Sequence, residues 1–302
     1  MKKLIYLIII LSFSAAGFGQ SSGFLFNRAV DKYYNQDFKG AVEDYTKVID
    51  QNKNDAKAFL CRGIAKYYLR DFEGAIADQD KAIQINPRYT DAYLNKGDCK
   101  YNMQDYEGAI AEYTKTLEIS PKNATALTSR GLTKQYIKDY KGAVEDFSLT
   151  IKYHPNIADA YIYRGIAKYY LGNYEDAIID YSKSIRVQPL SDAYFNRGNA
   201  KNALKDYSSA MKDYDKAIGM NAKNYKALHN RGLTKTTLNN NKGAIEDFSK
   251  AIELNSHYGD AYYNRAVAKL NLGQKEAACQ DFRKAEQLGQ INAKAALKKN
   301  CE

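Results

Sequence analysis

Tryptophan is absent from this 302-residue chain, and proline, cysteine and methionine occur only four times each. Histidine occurs three times, as His154, His229 and His257, and none stands in an HExxH or HxxE arrangement, so the helical zinc-hydrolase pattern is excluded. No CxxC, GxSxG or GxxxxGK[ST] occurs, which removes the thiol-redox, nucleophile-elbow and phosphate-loop classes. The formal net charge is +10, yet no run of Lys and Arg exceeds two residues, so the basic balance is dispersed and argues against a nucleic-acid surface. Against these scarcities stand 27 tyrosines, with 45% hydrophobic and 26% charged residues. Such a composition is globular or repetitive, and a bias this strong in one aromatic points to one unit copied many times.

Apolar runs are short everywhere except at the start. There, "MKK" precedes the ten-residue apolar core "LIYLIIILSF" and the small residues "SAAGFG", the layout of a secretory leader over 1–19. Cleavage is expected after Gly19, with Ala16 as the second choice, and no Cys lies near either site for lipid attachment. The core is shorter than the roughly 20 residues a bilayer span needs, which disfavours an uncleaved anchor. Loss of Lys2 and Lys3 would take the formal charge from +10 to +8. The expectation is an exported protein, periplasmic or secreted, with no membrane span after cleavage.

Aligned on itself, the chain shows a register. Arg28, Arg62, Lys96, Arg130, Arg164, Arg197, Arg231 and Arg265, each followed by Gly or Ala, recur at steps of 34 with a single step of 33. Eight copies begin at 22, 56, 90, 124, 158, 191, 225 and 259. The short step falls where "QPLSDAY" replaces "HPNIADAY", a one-residue loss in a connecting turn. Within each copy the apolar residues fall at three- and four-residue steps, the spacing of amphipathic helices. Position 8 is always Gly or Ala, position 20 is always Ala (Ala41 to Ala278), and position 24 is aromatic except at Gln79. All four prolines, Pro87, Pro121, Pro155 and Pro189, occupy position 32.

A 34-residue unit with this pattern resembles the tetratricopeptide repeat, a helix-turn-helix. The resemblance covers 22–292. It implies an all-α, right-handed superhelical solenoid of eight units, and the segment 291–302 reads as one more, capping helix. It also implies a concave groove for a protein or peptide partner, while the missing catalytic motifs and the recurrence of acids at repeat positions 16 and 23 lead to the expectation of a non-enzyme with no cofactor.

Two positions depart from the family, where they are usually apolar or aromatic. Position 7 is Arg in seven copies and Lys96 in the other, and position 11 is Lys in all eight. Unpaired cations on a packed helix would be costly, and position 23 supplies an acid each time, from Asp44 to Asp281 with Glu112 in the third copy. A ladder of ion pairs to the same or the adjacent unit is expected. The rival reading is a cationic groove for an acidic partner.

Positions 2, 5, 6, 9, 12 and 13 share one face of the first helix, the face that lines the groove in this family. It carries Tyr67, Tyr68, Tyr101, Tyr136, Tyr169 and Tyr170 in the earlier copies, and Phe195, Asn199, His229 and Tyr263 in the later ones. Some of these tyrosines are expected to pack between units instead. Position 6 holds Asn27, Asn95, Asn196, Asn230 and Asn264, similar to the asparagine ladder of the O-GlcNAc transferase superhelix, where amides grip a peptide backbone. The carboxylate-clamp pattern of chaperone adaptors is missing, since position 5 is never Lys.

The sequence thus supports a non-enzymatic scaffold or assembly factor of the cell envelope that binds a protein or extended peptide. The alternative is a glycan-binding protein that stacks sugars on its tyrosines. Cys61 and Cys99 lie on nearly one local face of parallel helices and should stay free. Cys279 and Cys301 are each eleven residues from Gln290 in a short turn, so antiparallel helices would set them side by side as a disulfide.

Overall fold

A computed structural model describes the backbone from residue 19 and side chains from residue 22 through 302. The leader expected over 1–19 thus lies outside the described residues, apart from Gly19. Seventeen α-helices and no strand occur among the described residues. In chain order they are α1 (Gly19–Tyr34), α2 (Phe38–Gln51), α3 (Ala56–Tyr68), α4 (Phe72–Ile85), α5 (Thr90–Asn102), α6 (Tyr106–Ile119), α7 (Ala124–Tyr136), α8 (Tyr140–Tyr153), α9 (Ala158–Tyr170), α10 (Tyr174–Val187), α11 (Ser191–Ala203), α12 (Tyr207–Met220), α13 (Tyr225–Thr237), α14 (Asn241–Leu254), α15 (Gly259–Asn271), α16 (Lys275–Gln287) and α17 (Ala293–Asn300). Odd and even helices up to α16 form eight hairpins. The missing residue falls between α10 and α11, whose connection is 188–190.

The chain divides into two compact units, one up to Thr133 and the other from Lys134, each described by itself. In both, the same local devices build every hairpin. Position 15 adopts the left-handed backbone in all eight copies, at Gln36, Arg70, Gln104, Lys138, Lys205, Asn239, Gly172 and Gly273. The following residue caps the second helix: the carboxylates of Asp37, Asp71, Asp105 and Asp139 accept the backbone N–H of Gly40, Gly74, Gly108 and Gly142 at 2.9–3.0 Å. Those acids at position 16 are therefore capping groups, which also stabilise the positive end of the helix.

Inside the third, fifth, sixth and seventh hairpins the position-24 ring fills the space opposite the glycine at position 8. Tyr45, Tyr113, Phe147, Tyr181, Tyr214, Phe248 and Phe282 are all buried. At Gly165 and Gly198 an added methyl would come 2.6 and 2.7 Å from a ring carbon of Tyr181 and Tyr214, so glycine there is a packing requirement. The second hairpin differs. Gln79 is fully buried, its Nε2 reaches Leu60 O at 3.4 Å, and its Oε1 has no partner.

The cations of positions 7 and 11 converge on the acid of their own hairpin. Arg62 donates through Nε and Nη2 to Asp78 at 2.9 and 2.6 Å, and Lys66 Nζ lies 2.8 Å from the same carboxylate. Arg164 and Lys168 hold Asp180 in the same way, as do Arg197 and Lys201 at Asp213, Arg231 and Lys235 at Asp247, and Arg265 and Lys269 at Asp281. The third nitrogen of each arginine reaches back to position 25 of the preceding hairpin: Arg62 to Thr46, Arg164 to Ser148, Arg197 to Ser182, Arg231 to Asp215 and Arg265 to Ser249, at 2.6–3.1 Å. In the third hairpin Lys96 bridges Asp80 and Glu112 at 2.7 and 3.2 Å. Each of these clamps closes its own hairpin and ties it to the one before. The carboxylates lie inside and the cation stems pass outward. At the N-terminal hairpin, the Arg28 guanidinium holds the Asp44 carboxyl far below the usual range, with Lys32 assisting against the opposing effect of burial.

Candidate functional site: the first-helix face

The first-helix face has two layers, set by where each position sits along the helix. Position 5 lies mid-helix, and its rings pack onto the position-24 ring of the same hairpin. Phe195 meets Tyr214 at 6.3 Å between centroids, Tyr263 meets Phe282 at 5.4 Å, and His229 meets Phe248 at 5.5 Å. These side chains are half-buried or buried and contribute to the core as much as to a surface.

Positions 12 and 13 end the first helix, so their tyrosines gather at the turn. Tyr67, Tyr101 and Tyr169 pack edge-on against Phe72, Tyr106 and Tyr174, the first residues of the second helices, at 5.1–5.6 Å. Tyr67 Oη also accepts a hydrogen bond from Asn102 at 3.0 Å. Tyr68 stacks on Phe38 of the preceding hairpin at 4.9 Å, and Tyr170 stacks on Tyr140 at 5.0 Å. Tyr136 and Tyr170 are each 61% exposed and are the most open of these rings in the second unit. Tyr68 and Tyr170 therefore do two things at once: one ring face joins the preceding hairpin, and the remainder meets solvent. The sequence placed them on a single helix face and could not see that the turn supplies half of their surroundings.

The asparagines of position 6 are not alike. Asn95 is buried, and its Nδ2 donates to Asp91 O in its own helix at 2.7 Å. Asn196 repeats that bond to Asp192 O at 2.8 Å but is half-buried. Asn230 and Asn264 belong to a polar cluster in the second compact unit. Asn230 Nδ2 donates to Asn199 Oδ1 at 2.7 Å, and the Tyr214 hydroxyl donates to the same oxygen at 3.0 Å. His229, only 6% exposed, lies 2.9 Å from Asn264 Nδ2, 3.2 Å from Tyr258 Oη and 3.3 Å from Asn230 Oδ1. Burial pushes the His229 imidazole below its ordinary value, against the pull of Asn230 and Asp260. The central role of His229 was not legible in sequence, where it stands as one exception at position 5.

Among the described residues no group of three or more His, Cys, Asp or Glu is placed to hold a metal ion. No described helix is long and apolar enough to cross a membrane. A surface cavity of about 770 Å³ lies on the hairpin of α11 and α12, lined by Tyr194, Met220, the clamp of Arg197, Lys201 and Asp213, and the lysines Lys212 and Lys216. Cys279 and Cys301 are joined, with Cα atoms 5.8 Å apart, so α16 and α17 are held together. Cys61 and Cys99 are free and buried.

Sequence profiles described as Tetratricopeptide repeat match residues 26–89, 60–124, 158–191, 191–224, 225–258 and 248–280. The chain belongs to the tetratricopeptide repeat family. No curated protein matches it. A tetratricopeptide repeat protein from Parabacteroides merdae is 20% identical with a TM-score of 0.59, over 94% of this chain and all of that one (100%). The C-terminal part of a TPR repeat-containing protein from Cytophaga hutchinsonii is 18% identical with a TM-score of 0.64, over 79% of this chain and 98% of that one. YrrB, described as a TPR protein with an unusual peptide-binding site, is 22% identical with a TM-score of 0.55, over 63% of this chain and 98% of that one. At these identities the likeness is one of fold. In this chain the first-helix faces carry tyrosines at the turns in both units, and the amide cluster in the second.

Proposed function

We propose that this protein is a non-enzymatic scaffold or assembly factor of the cell envelope that binds a protein or an extended peptide along its first-helix faces. The amide cluster carries the reading. Asn196, Asn199, Asn230 and Asn264 are half-buried, and Asn199 and Asn230 bond to each other beside the buried Tyr214 ring. A primary amide offers both a donor group and an acceptor, so it can pair with any peptide backbone regardless of sequence. The peptide-binding site named for YrrB supports the same class of role. The N-terminal leader pattern supports export, to the periplasm or beyond the cell. The test is the triple variant Asn196→Ala, Asn230→Ala, Asn264→Ala. It should lose partner binding while keeping its helical circular dichroism, and equal affinity in the variant would refute the assignment.

One observation favours a glycan as the alternative ligand. Exposed rings at the turn edge, Tyr68 on Phe38 and Tyr170 on Tyr140, present flat faces of the kind that stack on sugars. Affinity capture from envelope extract followed by mass spectrometry separates the two: a defined protein supports the first reading, and retention on isolated wall glycan alone supports the second.

A further inference from the structure

The hydrogen bonds around His229 have a direction, and that direction can be read atom by atom. Asn264 Nδ2 lies 2.9 Å from His229 Nε2. An amide nitrogen only donates, so Nε2 is the bare ring nitrogen and the proton sits on Nδ1. Nδ1 faces Asn230 Oδ1 at 3.3 Å and Tyr258 Oη at 3.2 Å, and the amide oxygen accepts its proton. With Oδ1 thus turned to the ring, Asn230 directs Nδ2 to Asn199 Oδ1 at 2.7 Å, an oxygen that also receives the Tyr214 hydroxyl. The two ends of this relay are left with opposite character. Asn264 keeps its Oδ1, an acceptor, and Asn199 keeps its Nδ2, a donor.

We infer that His229 is a positioning residue that fixes the hydrogen-bonding polarity of the amides across the last three repeats, so that an extended peptide strand docks with a backbone N–H toward Asn264 and a C=O toward Asn199. The inference rests on the groove reading above and adds to it a register for the ligand. Without the imidazole, nothing would hold the orientation of Asn264, and Asn230 would be held only by its bond to Asn199. The groups that face the ring are few: Asp260 and Asn264 from α15, Tyr258 just before it, Phe248 from α14, and Asn230 on its own helix. Asp260 favours a proton on the ring, and burial among neutral partners opposes it. A ring protonated on both nitrogens could no longer accept from Asn264, whose amide would have to rotate and present its oxygen to the ring.

Long-range nitrogen–proton NMR on the full chain tests this directly, with the His229 signals assigned by their loss in His229→Gln. At pH 7.5 the expected result is the neutral Nδ1–H tautomer, titrating below the ordinary histidine midpoint. The Nε2–H tautomer, or a midpoint at or above the ordinary value, would overturn the inference. In Asn264→Asp the carboxylate can only accept, so the ring should shift its proton to Nε2 or titrate higher. An unchanged ring would show that the contact does not exist. For the ligand, the probe is a dodecapeptide selected from a random library on the immobilised full chain. Its affinity should fall about three- to tenfold when Asn199→Asp replaces the donor by an acceptor, the scale of one hydrogen bond. A peptide indifferent to Asn199, with the Nδ1–H tautomer intact, would overturn the register. A peptide indifferent to Asn196, Asn230 and Asn264 together would overturn the groove itself, and the tautomer distinguishes that failure from the loss of His229's role.

Discussion

At the scale of single residues, the clamp shows how a charge can be built into a packed repeat. Asp180 is almost wholly buried and receives Arg164 at two nitrogens and Lys168 at 2.9 Å. Its worth is asymmetric, because removing the acid strands two partly buried cations that the fold keeps in place. Asp180→Ala should therefore cost about 3 kcal/mol, read as a drop in the urea midpoint, whereas an unchanged midpoint would show the cations to be solvated. Gln79 presents the opposite case. It occupies the site of an aromatic ring in every other hairpin and buries an acceptor with no partner. Gln79→Phe removes that orphan atom and adds apolar burial opposite Gly63, so a gain of about 1 kcal/mol is expected. A lower melting temperature would mean that the second hairpin has closed around the smaller side chain.

At the scale of elements, the turn and the last helix are the parts whose conformation is most constrained. Six of the eight turn residues in the left-handed region are not glycine, and Gln104, with φ of 66°, is one that is exposed. A side chain in that region costs roughly 1–2 kcal/mol, of which glycine's greater freedom in the unfolded chain takes back a part. Gln104→Gly should raise stability by about 0.5 kcal/mol, measurable as a small rise in melting temperature without change in helicity. The eight-residue α17 is held differently. Leu297 covers Ala266, Ala278 and Phe282, and the Cys279–Cys301 bond fixes the far end. Cys301→Ser opens a loop of 22 residues and should cost about 3 kcal/mol in the chain-entropy account. Hydrogen exchange should then show α17 opening ahead of α15 and α16, and equal protection in both proteins would show that packing alone holds the cap.

For the whole molecule, two kinds of titrating group set how stability changes toward acid pH. His229 has a folded value below its unfolded one, so the folded state resists a proton that the unfolded chain accepts. Its contribution is complete above the ordinary value of 6.5 and is lost as the pH falls below it. Asp44 is likewise held down, by Arg28 first and Lys32 second, so its contribution is present above the ordinary carboxylate value and is lost in more acid solution. The urea midpoint should thus be flat just above neutrality, fall through pH 6 and fall again below pH 4, and it should also fall in alkaline solution, where burial holds the Cys61 and Cys99 thiols protonated against an unfolded chain that ionises. His229→Gln should remove the first step alone. Persistence of that step in the variant would assign it to other groups.

What the sequence determined by itself was the repeat: its period, the eight hairpins, the small residue against the ring, and the acid answering each pair of cations. All of these recur at fixed spacing, and a helix turns spacing directly into direction, so local chemistry suffices to read them. Even the pairing of Cys279 with Cys301 followed from equal distances to a short turn. Only the tertiary structure decided which neighbours meet across hairpins. The third nitrogen of each clamp arginine finds position 25 of the preceding repeat, Tyr170 stacks on Tyr140, and His229 gathers amides from α11, α13 and α15 through Asn199, Asn230 and Asn264. Those contacts depend on how one packed hairpin is set against the next. That offset comes from the summed shapes of many side chains and leaves no mark at any single position in the sequence.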